Sequence, residues 1–232
     1  MKNKFASFIN TMLVLLPISL VIVSCKKEEE DKQQDNAPSH VEAVDLGLSV
    51  KWANCNIGAS TPEAVGAYYA WGETEEKEEY TLLTYKYYLG DLSEDGNYSN
   101  SEEYKNIGRN ISGTAYDVVR TKWGGTWRMP TKKELEELCF ECSWEAAEIN
   151  GVKGKLITGP NGNSIFLPCT GIYRGTRILN GADGLGAYLS ASIGSYQPHA
   201  YSILFVWSDI ASGYMGSDAS RADGMAIRPV KE

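Results

Sequence analysis

The most sharply punctuated run in this chain is WRMPTKKELEEL, residues 127–138, and it fixes one helix and the way the chain approaches it. Gly124 and Gly125 lead in and Pro130 sets the turn. Thr131 offers a hydroxyl to cap the helix, and Glu134 three residues on can reach back to the cap's own N–H, the reciprocal pattern of a capping box. Leu135, Leu138 and Cys139 then share one apolar face, with Lys132, Lys133, Glu136 and Glu137 outside. Arg128, just before the turn, asks for a buried acid as its partner. Such a joint either serves a catalytic site or holds a scaffold together.

The rest of the chain supplies short strands for that helix to pack on. Residues 44–53 (VDLGLSVKWA) alternate around one glycine and predict an opening strand pair. Ser60 and Thr61 precede Pro62, which predicts a short helix beginning there. Residues 74–112 form a polar, acidic insertion, too long for an ordinary connection and expected at the surface. Residues 153–158 and 163–168 flank the turn Gly159-Pro160-Asn161-Gly162 and predict a hairpin. Further short strands are expected at 187–191, 200–206 and 225–230, joined by loops rich in Gly, Ser, Asp and Tyr. With 23 glycines, 14 tyrosines and 6 tryptophans, the fold is loop-rich and aromatic, not a helical bundle. The class expected is α+β, with small antiparallel sheets, two short helices and long loops. Residues 41–232 suit one domain.

The first 24 residues read as a signal peptide. Lys2 and Lys4 make a basic start, and residues 12–23 are an apolar run broken by Pro17, short of the roughly 20 residues that span a bilayer. The run closes on Ile22-Val23-Ser24-Cys25, which resembles a bacterial lipobox and implies lipidation at Cys25. A diacylated cysteine with an amide-linked chain is enough for stable membrane anchoring. Residues 25–40 are charged and read as a disordered tether. The acidic run after Cys25 resembles surface-export signals of lipoproteins in some Gram-negative anaerobes, which implies an outer-membrane protein exposed at the cell surface. Losing residues 1–24 with their two lysines takes the net charge from −8 to −10. So acidic a chain is a poor partner for nucleic acid.

Candidate chemistry is sparse. Cys55, Cys139, Cys142 and Cys169 remain after lipidation and allow two disulfides in three connectivities. The pair Cys139 and Cys142 admits a redox or zinc reading, but zinc wants two further ligands and the chain has only His40 and His199. Structural or free thiols are therefore expected. Residues 91–102 fit an EF-hand-type calcium loop, with oxygens from Asp91, Ser93, Asp95, Ser99 and Glu102, the Asn97 carbonyl, and Gly96 at the turn. Against it stand Tyr98 in place of a small aliphatic residue and a poor exit helix. No metalloprotease helix, nucleophile elbow or phosphate loop is present in the sequence. A serine triad would have to use His199, so no enzyme is expected.

Several segments together, VDLGLSVKWANCNIGASTPEAVGAYYAWGE, ISGTAYDVVRTKWGGTWRMPTKKELEELC, NGVKGKLITGPNGNSIFLP and the closing IRPV, resemble the "major paralogous domain" lipoproteins of Gram-negative bacteria. The resemblance covers most of residues 44–230 in order. It implies a C-type-lectin-like fold, shared with the formylglycine-generating oxidases that modify sulfatases. Their Arg-Leu-Pro-Thr helix start is similar to Arg128, Met129, Pro130 and Thr131 with Glu134 here. Those oxidases use a cysteine pair near the chain's end, whereas the last cysteine here is Cys169, so the activity does not carry over. The family also resembles target proteins of diversity-generating retroelements, whose C-terminal segment is hypervariable.

What the resemblance implies is binding of a protein or glycan ligand through the C-terminal loops, at Tyr196, Gln197, His199, Tyr201, Trp207, Asp209, Tyr214, Asp218, Arg221 and Asp223. Tyr and Trp beside small polar residues suit an adaptable binding surface. Gln197-Pro198-His199 departs from the Gln-Pro-Asp triplet of calcium-dependent lectins in its last residue. A structural or pilus-associated subunit is the alternative expectation.

Overall fold

In the computed structural model the first and last strands of the described residues lie in one sheet. The structure describes residues 34–90, 103–181, 184–208 and 214–232. Strands β1 (Ala43–Val44) and β2 (Lys51–Ala53) pair antiparallel, as the alternation around Gly47 predicts. Helix α1 (Val118–Trp123) is followed by β3 (Trp127–Arg128) and helix α2 (Lys132–Glu141). Strands β4 (Ser143–Ile149), β5 (Val152–Thr158) and β6 (Ser164–Pro168) make a three-stranded sheet, and β7 (Ile172–Arg174) with β8 (Arg177–Leu179) a hairpin. Strands β9 (Leu185–Ile193), β10 (His199–Val206) and β11 (Tyr214–Ser220) form a second three-stranded sheet with β10 in the middle. The last strand, β12 (Val230–Lys231), lies between β2 and β3. The protein is thus mixed α+β, rich in small antiparallel sheets, with two short helices among the described residues.

Strand β9 explains how the core is divided. Side chains alternate across a strand, and β9 is buried on both faces. Ala187, Leu189 and Ala191 join one apolar cluster with Trp71, Tyr85, Val119 and Met225. Tyr188 joins the other, with Trp52, Leu135, Leu138, Ile157 and Phe205. Helix α2 therefore reaches the core by the face the sequence marked, and Leu135, Leu138 and Cys139 are all buried.

Four expectations need correction. The helix at Pro62 is a single turn, with the Ala64 N–H donating to the Thr61 carbonyl at 3.2 Å. Gly66 follows at φ 76, and Ala67 returns to bond Ile57, so no room is left for a second turn. The helix besides α2 is α1, capped by Asp117. The strand expected at 225–230 shrinks to β12. Before it, Pro229 lacks an N–H, and Arg228 turns inward to bond the Ala53, Asn54 and Phe166 carbonyls and Asn56. The insertion at 74–112 is not purely superficial, because Tyr80, Tyr85, Tyr87, Ile107 and Ile111 are buried in the first cluster. The last correction concerns the tether: its final residues dock. Asn36 donates to the Trp123 carbonyl at 2.6 Å, and Asp35 pairs with Lys231 at 2.6 Å.

Five strands, β3, β4, β7, β8 and β11, were missed. The turn Asn150-Gly151, with φ 52 and 82, is the Asn-Gly hairpin signal, and it makes β4 the partner of β5. Strand β11 occupies part of the region expected as loop.

Candidate functional site

The joint at residues 127–138 is occupied by its own contacts. Arg128 holds Glu134 at two points, Nη2 to Oε1 at 2.7 Å and Nη1 to Oε2 at 2.9 Å. Glu134 Oε2 also accepts from the Thr131 N–H at 2.7 Å, while Thr131 Oγ1 accepts from the Glu134 N–H, completing the capping box. Pro130 gives its carbonyl to the Ala191 N–H at 2.7 Å, tying the turn to β9. An open depression of about 400 Å³ borders Arg128, Arg120 and Glu232, but the Arg128 guanidinium there is already spent on Glu134. The contacts of Arg128, Pro130, Thr131 and Glu134 thus run mainly to one another and to β9.

A second cleft, of about 510 Å³, draws on segments far apart in sequence. The insertion gives Tyr80, Leu82 and Tyr104; the end of β7 gives Arg174; the start of β10 gives His199; the stretch after β11 gives Asp223. Each is placed by the backbone. Tyr80 pairs with Gly175 through both its N–H and its carbonyl at 2.8 Å, which sets the insertion against the β7–β8 turn. Gly224 backs the Tyr80 ring so closely that a Cβ there would lie 2.8 Å from it. Arg174 and Asp223 form a fork, Nε to Oδ1 at 2.9 Å and Nη2 to Oδ2 at 2.6 Å, with Arg174 half-exposed and Asp223 buried. His199 Nδ1 is buried with no hydrogen-bond partner. An apolar cleft with a few converging polar groups is the general form of a ligand site.

Of the ten residues expected at the ligand surface, the structure brings two, His199 and Asp223, into this cleft. Tyr196 and Gln197 precede its Pro198 wall and are exposed, Tyr196 at 70 %. Tyr201 is half-buried, its ring under the Lys132 ammonium at 4.4 Å and its hydroxyl 3.0 Å from Ser195. Two others have structural roles instead. Arg221 is 1 % exposed, with its guanidinium stacked on Trp71 at 4.5 Å. Trp207 packs against the second core cluster, and its indole N–H closes the free edge of β4 by donating to the Ala147 carbonyl at 3.1 Å. Asp209 lies outside the described residues. So do the side chains of Tyr214 and Asp218, and Asp91, Ser93, Asp95, Asn97, Ser99 and Glu102 of the proposed calcium loop.

Sequence reasoning missed Tyr80, Leu82, Tyr104 and Arg174. One signal was available: the tyrosines of YTLLTYKYY are dense for a solvated acidic loop, and such rings seek burial. Nothing in Arg174's neighbourhood distinguished it.

Among the described cysteines no thiol is activated as a thiolate. All four described thiols are free, and burial pushes Cys139 up to about 12 and both Cys142 and Cys169 up to about 11. A thiol held protonated is a weak nucleophile and metal ligand. Among the described residues no cluster of His, Cys, Asp and Glu is arranged to hold a metal. No protein-family model matches the chain, and comparisons with curated proteins and with solved structures give no match.

Proposed function

We propose that this chain is a lipid-anchored cell-surface protein whose domain, of C-type-lectin-like type in the "major paralogous domain" family, binds a protein or glycan ligand. It is a binder and not an enzyme, and it is held at the outer membrane through Cys25. The observation that carries the reading is the cleft itself. Five separate segments converge on it, and they present aromatic walls beside an ion-paired fork whose geometry is already set. Such preorganisation limits the ordering cost of binding. Tyr196 and Gln197 extend the surface outward from it. The protonated thiols and the absence of cysteine after Cys169 support setting the oxidase reading aside.

The test is retention of the purified chain on glycan and host-protein arrays, with and without calcium. A specific ligand retained by the wild type and lost in His199→Ala and Tyr196→Ala, both variants still folded, is the expected result. Retention indifferent to both substitutions would remove the cleft from the reading. Dependence on calcium would bring the 91–102 loop back into it.

A further inference from the structure

Helix α2 ends on a cysteine pair. Cys139 lies in its last turn, and Cys142 is the residue that caps it. Residues 140 and 141 between them are helical, which sets the two Cα atoms about 5 Å apart. That lies inside the range of roughly 4.4–6.8 Å over which a disulfide joins them. Two cysteines so spaced in mid-helix would hold their Cβ atoms about 5–6 Å apart, too wide for the bond's roughly 3.5–4.5 Å. Cys142 escapes that restraint. Its backbone has left the helix, with φ −109 and ψ 155, so its side chain can turn toward Cys139 without unwinding a helical turn.

Both side chains also meet the same core. Cys139 belongs to the second apolar cluster and Cys142 packs against it. The sulfurs are near enough for charge on Cys142 to oppose ionisation of Cys139. The other described thiols have no such neighbour. Cys55 donates to the Ala59 carbonyl at 3.8 Å and Cys169 to the Gly184 carbonyl at 3.1 Å, and no second thiol is among the charges acting on either.

We infer that Cys139 and Cys142 are the disulfide-forming site of this chain: they accept a disulfide from a donor of the R–S–S–R class and tie the end of α2 to the start of β4. An exported chain meets such donors. Exposure sets the order of events, because Cys142 is half-exposed and Cys139 is 2 % exposed. Cys142 loses its proton and attacks first. Its sulfur bonds one donor sulfur, the donor S–S bond breaks, and one RS⁻ leaves and takes up a proton. Cys139 then loses its proton and attacks the Cys142 sulfur, which releases the second RS⁻ to be protonated in turn. The two cysteines give up two electrons and two protons, and the donor becomes two thiols. Burial holds both thiols protonated, so the exchange is slow near neutral pH and quickens as pH rises.

The test incubates the full chain, purified in mild detergent, with glutathione disulfide at about pH 8.5, where thiolates are more abundant than at neutrality. After removal of the glutathione, urea unfolds the chain, iodoacetamide labels every free thiol, and trypsin releases residues 134–153, which carry both cysteines. The expected peptide is two hydrogens lighter than its reduced form, with labelling of the pair down about tenfold or more, while Cys55 and Cys169 label in full. Dithiothreitol restores the labelling. Cys142→Ser abolishes the reaction, and Cys139→Ser halts it at a glutathione held on Cys142. Where either variant fails to fold, the wild-type peptide decides alone. Full labelling of Cys139 and Cys142 after oxidation, a glutathione that persists on wild-type Cys142, or a bond between Cys55 and Cys169 overturns the inference. None of these readouts uses a ligand, so the result stands apart from the reading of the cleft.

Discussion

Arg128 and Glu134 meet as a two-point ion pair, 2.7 and 2.9 Å, across the turn that starts helix α2. Burial pushes the Glu134 carboxyl up, but the Arg128 guanidinium and the Thr131 N–H outweigh it and hold the carboxyl below its ordinary 4.5. A carboxyl lowered on folding stabilises the protein above its unfolded value, and the contribution is lost as pH falls through the folded value. Urea unfolding should therefore show stability declining from about pH 5 downward. Glu134→Gln should be less stable at pH 7 by about 2–3 kcal/mol, the worth of hydrogen bonds to a charged group, and show a flatter acid limb. Asp35, also lowered, is half-exposed and adds little to that limb. An unchanged acid limb in the variant would mean that the pair does not govern this pH dependence.

A second acid holds the same joint from beneath. Asp117 is fully buried and accepts four backbone N–H groups. Oδ1 takes Val119 and Arg120 at 2.9 and 3.1 Å, which caps α1, and Oδ2 takes Gly113 and Met129, both at 2.8 Å. Asparagine keeps the shape but turns an N–H₂ toward two of those donors. Leaving them unpaired in the core should cost about 3 kcal/mol. For a domain of this size that lowers the melting temperature by about 6–12 °C. Calorimetry of Asp117→Asn decides it, and a change under 2 °C would show that water or a shifted backbone replaces these bonds.

These two acids mark what the sequence made legible. Glu134 lies three residues from its cap, so a local rule finds it. Asp117 bonds Met129 twelve residues away, and no local pattern announces that contact. The same divide runs through the candidate site. The C-terminal composition pointed to His199 and Asp223, but Tyr80 lies 119 residues before His199 and meets the cleft only because the insertion folds back onto β7. Arg221 and Trp207 were read as surface because their neighbours are small and polar. Both side chains instead turn inward, one to stack on Trp71 and the other to bond the Ala147 carbonyl of β4.

That role gives Trp207 its own prediction. Its ring packs against the second core cluster, beneath the Lys153 ammonium at 4.8 Å, and its indole N–H takes the Ala147 carbonyl. Trp207→Phe removes the hydrogen bond and keeps most of the packing, a loss of about 1 kcal/mol. Trp207→Ala removes both and should cost about 3 kcal/mol. Uncapping the edge of β4 should also raise the tendency to self-associate, visible by light scattering near the melting temperature. Equal stability of the two variants would assign the whole effect to the hydrogen bond. Loss of ligand retention in a folded Trp207→Phe would return the residue to the binding surface.

The last prediction concerns the docked end of the tether. Gln34, Asp35 and Asn36 lie along the Gly124-Gly125 turn, where Gly125 donates to the Gln34 carbonyl at 3.1 Å and Asn36 to the Trp123 carbonyl at 2.6 Å. Gly125 has φ 54, and a Cβ added there would meet the Asp35 side chain at 3.1 Å. Gly125→Ala therefore combines a strained left-handed backbone with a contact that pushes the strap away. Hydrogen exchange should show the Asn36 and Gly125 amides losing protection by about tenfold or more, while Leu135 and Leu138 in α2 keep theirs. Lys231→Ala should act in the same direction and more weakly, because its ion pair with Asp35 is partly solvated. A uniform loss across α2 would mean that the substitution unfolds the joint instead. Unchanged protection at Asn36 would mean that the strap is held elsewhere along its length.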